Sequence, residues 1–342
     1  MNAHFSADWL ALREPFDDAA RSAAAAPAAA ADREMTIVDL ACGTGANLRH
    51  LAPRIGGRQT WRLIDHDADL LARVPACIAQ WAAEHGWRCE HETVAIAALG
   101  RAVDSATTTT TTVTGDGFTV TAVTERLDLS ADPAVARLAG ADLVTTSALL
   151  DLVSARWLER LVALCAHHRA AVGWALSYDG RIEWTPADPF DDAITDAVNR
   201  HQRRDKGFGP ALGPVAAGTA RRLLEAAGMS VQEWRSDWVI GDADDGGAMQ
   251  AALIGGWATA ALEIESGWRD AITDWVRRRR KLAAEGGTRL RVGHRDLFGD
   301  ARQTGSDAGA RTPASHRTRA LRPGSFQRPP GASAIALHAW KR

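Results

Sequence analysis

Carboxylates recur in this sequence where apolar runs stop. The run Met35 to Val38 is followed by Asp39, then by Gly43 and Gly45. Leu48, Leu51 and Ala52 come next at helical spacing. Strand, glycine turn and helix start together bring main-chain N–H groups up to a ligand, so an acid and two glycines at that point favour a polar small molecule. A second run, Gln59 to Ile64, ends in Asp65 and His66. A carboxylate at the end of that strand can accept both hydroxyls of a ribose, although an N-capping role is the plain alternative. Asp128 and Leu129 follow the alternating run Phe118 to Thr124, Ser147 and Asp151 stand at the end of the run that begins at Ala141, and Tyr178, the only tyrosine, follows Ala170 to Ser177. His201 lies on an apolar helical stripe with Ile194, Ala197 and Val198, where a core histidine and a proton carrier are both open readings.

The stretch Val38-Asp39-Leu40-Ala41-Cys42-Gly43-Thr44-Gly45 resembles the first motif of class I S-adenosylmethionine-dependent methyltransferases, acid-x-Gly-x-Gly-x-Gly, with Ala41 in place of the first glycine. The resemblance implies S-adenosyl-L-methionine as cofactor. Gly43 and Gly45 would let the backbone pass the methionine part, and Asp39 would order the turn and reach the amino group. By the same resemblance Ala41, Asn47, Asp65, His66, Asp128, Leu129 and Ser147 complete a cofactor-binding set, with Asp128 facing the adenine amino group; an N-cap role for Asp128, Ser130 or Asp132 is the equal alternative. The end of the fourth strand, with Leu149, Leu150 and Asp151, would line the transferable methyl. Tyr178, His201 and Asp151 are the candidates for a catalytic base, if the acceptor needs one, and no metal is expected.

These residues need an α/β frame to meet. Strand-like and helix-like runs alternate along the chain, which predicts a doubly wound, mostly parallel sheet, seven-stranded in the Rossmann-like methyltransferase manner. A β-hairpin insertion is expected near 97–120, around the threonine tract and Gly115-Asp116-Gly117. Met229 to Ile240 reads as a sixth strand, and Thr288 to Phe298 as an antiparallel seventh, with Ile335, Leu337 and Ala339 as a rival for that place. The expected organisation is an N-terminal helix and Ala/Pro linker over 1–33, a cofactor-binding domain over 34–298 and a basic tail over 299–342. The cationic, glycine-rich stretch 199–214 reads as a lid on the acceptor side.

Composition limits the partners. Residues 301–342 hold seven arginines and one lysine against one aspartate, a net +7, leaving −9 for the rest of a chain that totals −2. A disordered basic tail is the first expectation for such a segment, and a nucleic-acid contact the second. The four cysteines form no Cys-x-x-Cys pair, and no apolar run is long enough to span a membrane, so a cytoplasmic protein with no membrane partner is expected. Ser147-Ala148-Leu149-Leu150 stands where amino-methylating nucleic-acid enzymes carry Asn/Asp-Pro-Pro-aromatic, which favours a small-molecule acceptor. Two other functions fit part of the pattern. One is a nicotinamide-dependent oxidoreductase, whose Gly-x-Gly-x-x-Gly fingerprint meets Leu48 at its third glycine. The other is a non-catalytic binding module that acts through the tail.

Overall fold

A computed structural model describes residues 5–21, 34–95, 107–241 and 245–300. The Ala/Pro linker, the basic tail from 301 and the rival last strand at 335–339 lie outside the described residues. The first described element is helix α1 (Ala7–Ala20), opened by Ser6, whose hydroxyl accepts the Trp9 N–H at 3.1 Å. Strand β1 (Met35–Leu40) leads through the glycine turn into α2 (Ala46–Ile55). Strand β2 (Gly57–Asp65) leads into α3 (Ala68–Glu84), whose N-cap is Asp67. Then come β3 (Arg88–Ala95), β4 (Thr107–Gly115), β5 (Phe118–Arg126) and β6 (Leu143–Ser147). After α4 (Ala155–His168) and β7 (Ala171–Thr185) follow α5 (Asp191–Gln202), α6 (Ala216–Ala226), β8 (Ser230–Arg235) and β9 (Trp238–Ile240). The last described elements are α7 (Gly246–Ile264), α8 (Arg269–Glu285) and β10 (Arg289–Asp300).

The sheet has ten strands in the order β3-β4-β5-β2-β1-β6-β7-β10-β8, with β9 paired to β10. Strands β5, β2, β1, β6 and β7 are mutually parallel, and β10 runs antiparallel between β7 and β8. Seven strands therefore form the doubly wound, mostly parallel sheet expected from the sequence, and three more are added to it. Two of these, β3 and β4, build a meander outside β5, longer than the expected hairpin and beginning at Arg88 rather than near 97. The threonine tract is strand β4, where β-branched side chains suit a pleated surface. The third is β9, because the expected sixth strand breaks at Ser236 and Asp237. The Asp237 carboxylate accepts from Arg181 at 2.6 Å and from the His294 N–H at 3.3 Å, which turns the chain out of one continuous ladder.

Three cores hold this together. Ile37, Trp61, Leu63, Leu48 and Ile78 fill the face under α2 and α3, and Val38, Val144, Trp157, Leu161 and Leu224 the face under α4 and α6. Burial on both faces is what makes β1 and β6 near-continuous apolar runs. Past Tyr178, β7 pairs only with β10 and rises above the carboxyl ends of the parallel strands. This ribbon carries the third core, where α1, α5, α7 and α8 pack through Trp9, Trp184, Trp238, Trp257 and Trp275. Helix α7 is apolar nearly all round because it lies between layers. Among the described residues no helix is long and apolar enough to cross a membrane.

Candidate functional site

Three residues of the first turn are left-handed: Ala41 at φ 55°, Gly43 at φ 55° and Gly45 at φ 83°. A side chain on Gly43 would meet Leu10 of α1, since a Cβ there would lie 2.9 Å from Leu10 Cδ1. Gly45 is the N-cap of α2 and supplies no side-chain cap, so the first N–H groups of that helix face the turn without a side-chain partner. Ala41 does in this conformation what glycine does without strain. Ala41→Gly should therefore stabilise the protein by about 1 kcal/mol, read as a higher urea midpoint at constant m.

The carboxyl ends of β1, β2 and β6 bring the acids together. Asp39 is fully buried, and its Oδ1 accepts from Asn47 Nδ2 at 2.7 Å. The same amide reaches Thr145 Oγ1 at 3.0 Å, and that hydroxyl donates to the Gly173 carbonyl at 2.6 Å. Asp39 Oδ2 and Asn47 Oδ1 have no partner among the described residues. Burial pushes the Asp39 carboxyl up to about 7 against the opposing Asn47 bond and the Arg21 charge. Asp65 ties β2 to the turn: Oδ2 accepts the Gly43 N–H at 2.9 Å and Oδ1 the Asp67 N–H at 3.0 Å. His66 Nδ1 lies 3.3 Å from Asp65 Oδ1, and that bond raises the imidazole above its usual range. Asp67, not Asp65, caps α3, which leaves Asp65 its remaining lone pairs for a ligand.

The other members of the expected cofactor set spread around this centre. Asp128 is exposed, within electrostatic reach of His66, and its Oδ1 accepts the Ser130 N–H at 2.8 Å. The Leu129 side chain is in the core under α4, and its carbonyl accepts from Trp157 Nε1 at 2.6 Å. Ser147 ends β6 half-buried opposite Ala175, and the left-handed Ala148 turns the chain towards Asp151.

The catalytic candidates separate. Asp151 is buried, and its Oδ1 has no partner among the described residues. Burial lifts its carboxyl to about 6, against its own N–H, the Arg13 charge and the Tyr178 main-chain N–H. The Tyr178 hydroxyl donates to Asn199 Oδ1 at 2.8 Å, and burial with Asp179 and Asp151 nearby pushes it well up, so it keeps its proton and acts as a fixed donor. His201 lies on the seam of α5 and α7, with Nε2 3.2 Å from Glu263 and Nδ1 3.3 Å from Lys206 Nζ. Both its nitrogens are engaged, and it approaches Asp151 only through Lys206, which feels the Asp151 charge. The expected lid is tied down. Asp205 Oδ1 accepts the N–H groups of Gly207 and Gly209 at 2.7 and 3.0 Å, Leu212 N–H donates to Val153 at 2.9 Å, and Phe208 meets Trp157 edge-on at 5.4 Å. The stretch is thus a packed wall beside Asp151.

Helix α1 crosses the site. Glu14 accepts two bonds from Arg49 at 2.8 and 2.6 Å, Asp18 lies 2.8 Å from His50 Nδ1, and Asp17 accepts from Trp238 Nε1 at 2.9 Å. Arg21, just past its last turn, lies within electrostatic reach of Asp296, Asp17, Asp18 and Asp39. Its guanidinium makes no ion pair or hydrogen bond among the described residues. No local pattern in the sequence marks Arg21 or Thr145 for this place; only the fold brings them to Asp39.

No family model matches the chain, and no curated protein matches it. Among solved structures it is similar to a cyclopropane-fatty-acyl-phospholipid synthase-like protein from Lactobacillus casei, at 15% identity, TM-score 0.41, over 86% of this chain and 93% of that one. It is also similar to an arsenic(III) S-adenosylmethionine methyltransferase from Chlamydomonas reinhardtii, at 11% identity, TM-score 0.36, over 82% and 67%. A third is geranyl diphosphate C-methyltransferase from Streptomyces coelicolor, at 11% identity, TM-score 0.34, over 80% and 74%.

Proposed function

We propose that this chain is an S-adenosylmethionine-dependent methyltransferase that acts on an oxygen, nitrogen or carbon of a small-molecule acceptor. The observation that carries the reading is the incomplete pair at the end of β1. Asp39 is a buried carboxylate with one oxygen unpartnered among the described residues, and the Arg21 guanidinium is within its electrostatic reach. An isolated buried polar atom costs about 1–3 kcal/mol, so the open Asp39 oxygen calls for a donor. An α-amino acid zwitterion would offer its ammonium to Asp39 and its carboxylate to Arg21. Asp65 on the neighbouring strand would take the ribose. Leu48, fully buried under β1, fills the place of the third dinucleotide glycine, which weighs against the nicotinamide reading.

When bound, the cofactor supplies an electrophilic sulfonium methyl group. The chain's own part is then to hold the acceptor in line, to keep water out with the α1 and α7 layer, and to offer Asp151 as proton acceptor. Calorimetric titration with S-adenosylhomocysteine and with NADH tests the reading. Micromolar binding of the first and none of the second is expected, and the reverse would overturn it. Arg21→Ala should weaken S-adenosylhomocysteine about 10-fold or more, the loss expected for one charge-assisted bond.

A further inference from the structure

The acceptor side of the site has an unbalanced set of hydrogen-bonding groups. Beyond Asp151 it contains His294, a residue of β10 that lies opposite Tyr178 in the ladder and is 5% exposed. His294 Nδ1 is 3.1 Å from the Val292 carbonyl, which can only accept, so in the neutral ring Nδ1 carries the proton and Nε2 the lone pair. Burial holds this imidazole down to about 3, and the Arg13 charge acts in the same direction. Nε2 has no hydrogen-bond partner among the described residues. The ring packs 4.6 Å from Trp238 and 6.2 Å from Tyr178, centroid to centroid. Asp151 is tied to the same strand pair, since it accepts the main-chain N–H of Tyr178, the residue opposite His294, and both groups feel the Arg13 charge.

Most cations and donors around these two acceptors bond to other groups, and Lys206 shares its charge with Asp151 while bonded to an imidazole. Arg13 Nε and Nη2 donate to Asp17 at 2.9 and 3.2 Å, and its guanidinium lies 5.1 Å over the Trp238 ring. Lys206 Nζ is on His201, Arg181 is shared between Asp179 and Asp237, and the Tyr178 hydroxyl is given to Asn199. An anionic acceptor entering here would meet a buried carboxylate whose charge is only partly offset by Arg13 and Lys206. A cationic donor would meet an unpaired carboxylate oxygen and an imidazole lone pair between aromatic rings, and would remove the cost of burying Asp151 alone.

We infer that the methyl acceptor is an amine, bound as its ammonium form between the Asp151 carboxylate and His294 Nε2. This rests on the methyltransferase reading above. The ammonium gives one proton to Asp151, which frees the nitrogen lone pair. That pair forms the new N–C bond as the C–S bond of the methyl donor breaks with its electrons going to sulfur, and the product leaves as an N-methylammonium while Asp151 releases its proton to solvent.

The experiment uses the full chain saturated with S-adenosylhomocysteine and three probes on one skeleton, 2-phenylethylamine, 2-phenylethanol and 3-phenylpropionate, each titrated by calorimetry. The amine is expected to bind at least 10-fold more tightly than the other two. Asp151→Asn, which keeps the side-chain shape, should cost the amine at least 10-fold while leaving S-adenosylhomocysteine affinity within 2-fold. His294→Gln should cost it less, because Gln offers an acceptor oxygen in place of Nε2. Preference for the acid or the alcohol, binding of none of the three, or an unchanged amine affinity in Asp151→Asn would overturn the inference while leaving the cofactor assignment standing. If S-adenosylhomocysteine itself fails to bind the unmodified protein, the cofactor reading has failed and the inference falls with it.

Discussion

Asp39→Asn is expected to make the ligand-free protein more stable at pH 8 and to weaken S-adenosylhomocysteine about 10–100-fold, the loss of a charge-assisted bond to a buried carboxylate. The stability gain follows from the direction of the shift. An aspartate in an unfolded chain titrates near 3.9, and burial raises Asp39 to about 7 in the folded protein. The folded state therefore holds this proton more tightly than the unfolded state. Below the unfolded value the group costs nothing, between the two values stability falls as pH rises, and above about 7 the whole penalty is present. At 1.36 kcal/mol for each pH unit, the gain at pH 8 should be about 2–4 kcal/mol, shrinking towards pH 4. Urea unfolding of both proteins at pH 8 and pH 5 measures it. The same titration acts on binding in the unmodified protein: affinity should drop as pH falls below about 7, because a protonated Asp39 must lose its proton before it can accept an ammonium. A variant that loses stability at pH 8 and keeps its affinity would show Asp39 to be a structural group. The expected result is the opposite: a site that is destabilising when empty and repaid on binding.

The legible parts of this molecule were those that depend on neighbours in sequence. Asp39, the two glycines and Leu48 sit within one strand-turn-helix unit, so their local geometry follows from residue type and periodicity. The caps at Ser154 and Asp67 are legible for the same reason: a side chain that bonds an N–H two or three residues on leaves its mark in the sequence. Contacts across the fold carry no such mark. Arg21 reads as the last residue before an alanine-rich stretch, yet it lies near Asp39 and Asp296. His294 reads as one member of an alternating strand, and only the pairing of β10 with β7 sets it beside Tyr178. The resemblance sets Leu129 beside the cofactor, and its side chain lies in the core next to Trp157. The stretch 199–214 reads as a lid because glycines beside cations suit a loop whose N–H groups close over a polar acceptor. Asp205 and Phe208 fix it through partners that its composition does not announce.

The second large effect lies away from the turn, in the layer that covers the acceptor side. Arg279 of α8 is fully buried, paired with Asp191 at the start of α5, and donates to the Pro186 carbonyl at 2.8 Å. Its guanidinium lies 4.5 Å over Trp184, on the ribbon that rises past Tyr178. Asp191 also accepts from Trp275 Nε1 at 2.9 Å and from the Asp188 N–H at 2.7 Å, so one carboxylate ties α5 and α8 together beside the ribbon. Arg279→Met keeps much of the volume and removes the charge. It should cost about 3–5 kcal/mol, because Asp191 is left buried without its cation. The double variant Arg279→Met/Asp191→Leu should recover a large part of that loss, since much of it is the cost of the stranded carboxylate and not the worth of the pair. Equilibrium unfolding of the two single variants and the double variant gives the coupling, expected at about 2 kcal/mol or more. The loss should also be uneven across the molecule. Asp39, Asp65 and the glycine turn belong to β1, β2 and α2, whereas Arg279 bonds to Asp191 and the Pro186 carbonyl. In the folded Arg279→Met protein, amide exchange should therefore quicken in α5 and α8 before it does in β1 and α2. Uniform loss of protection would mean that the upper layer and the parallel sheet open as one unit.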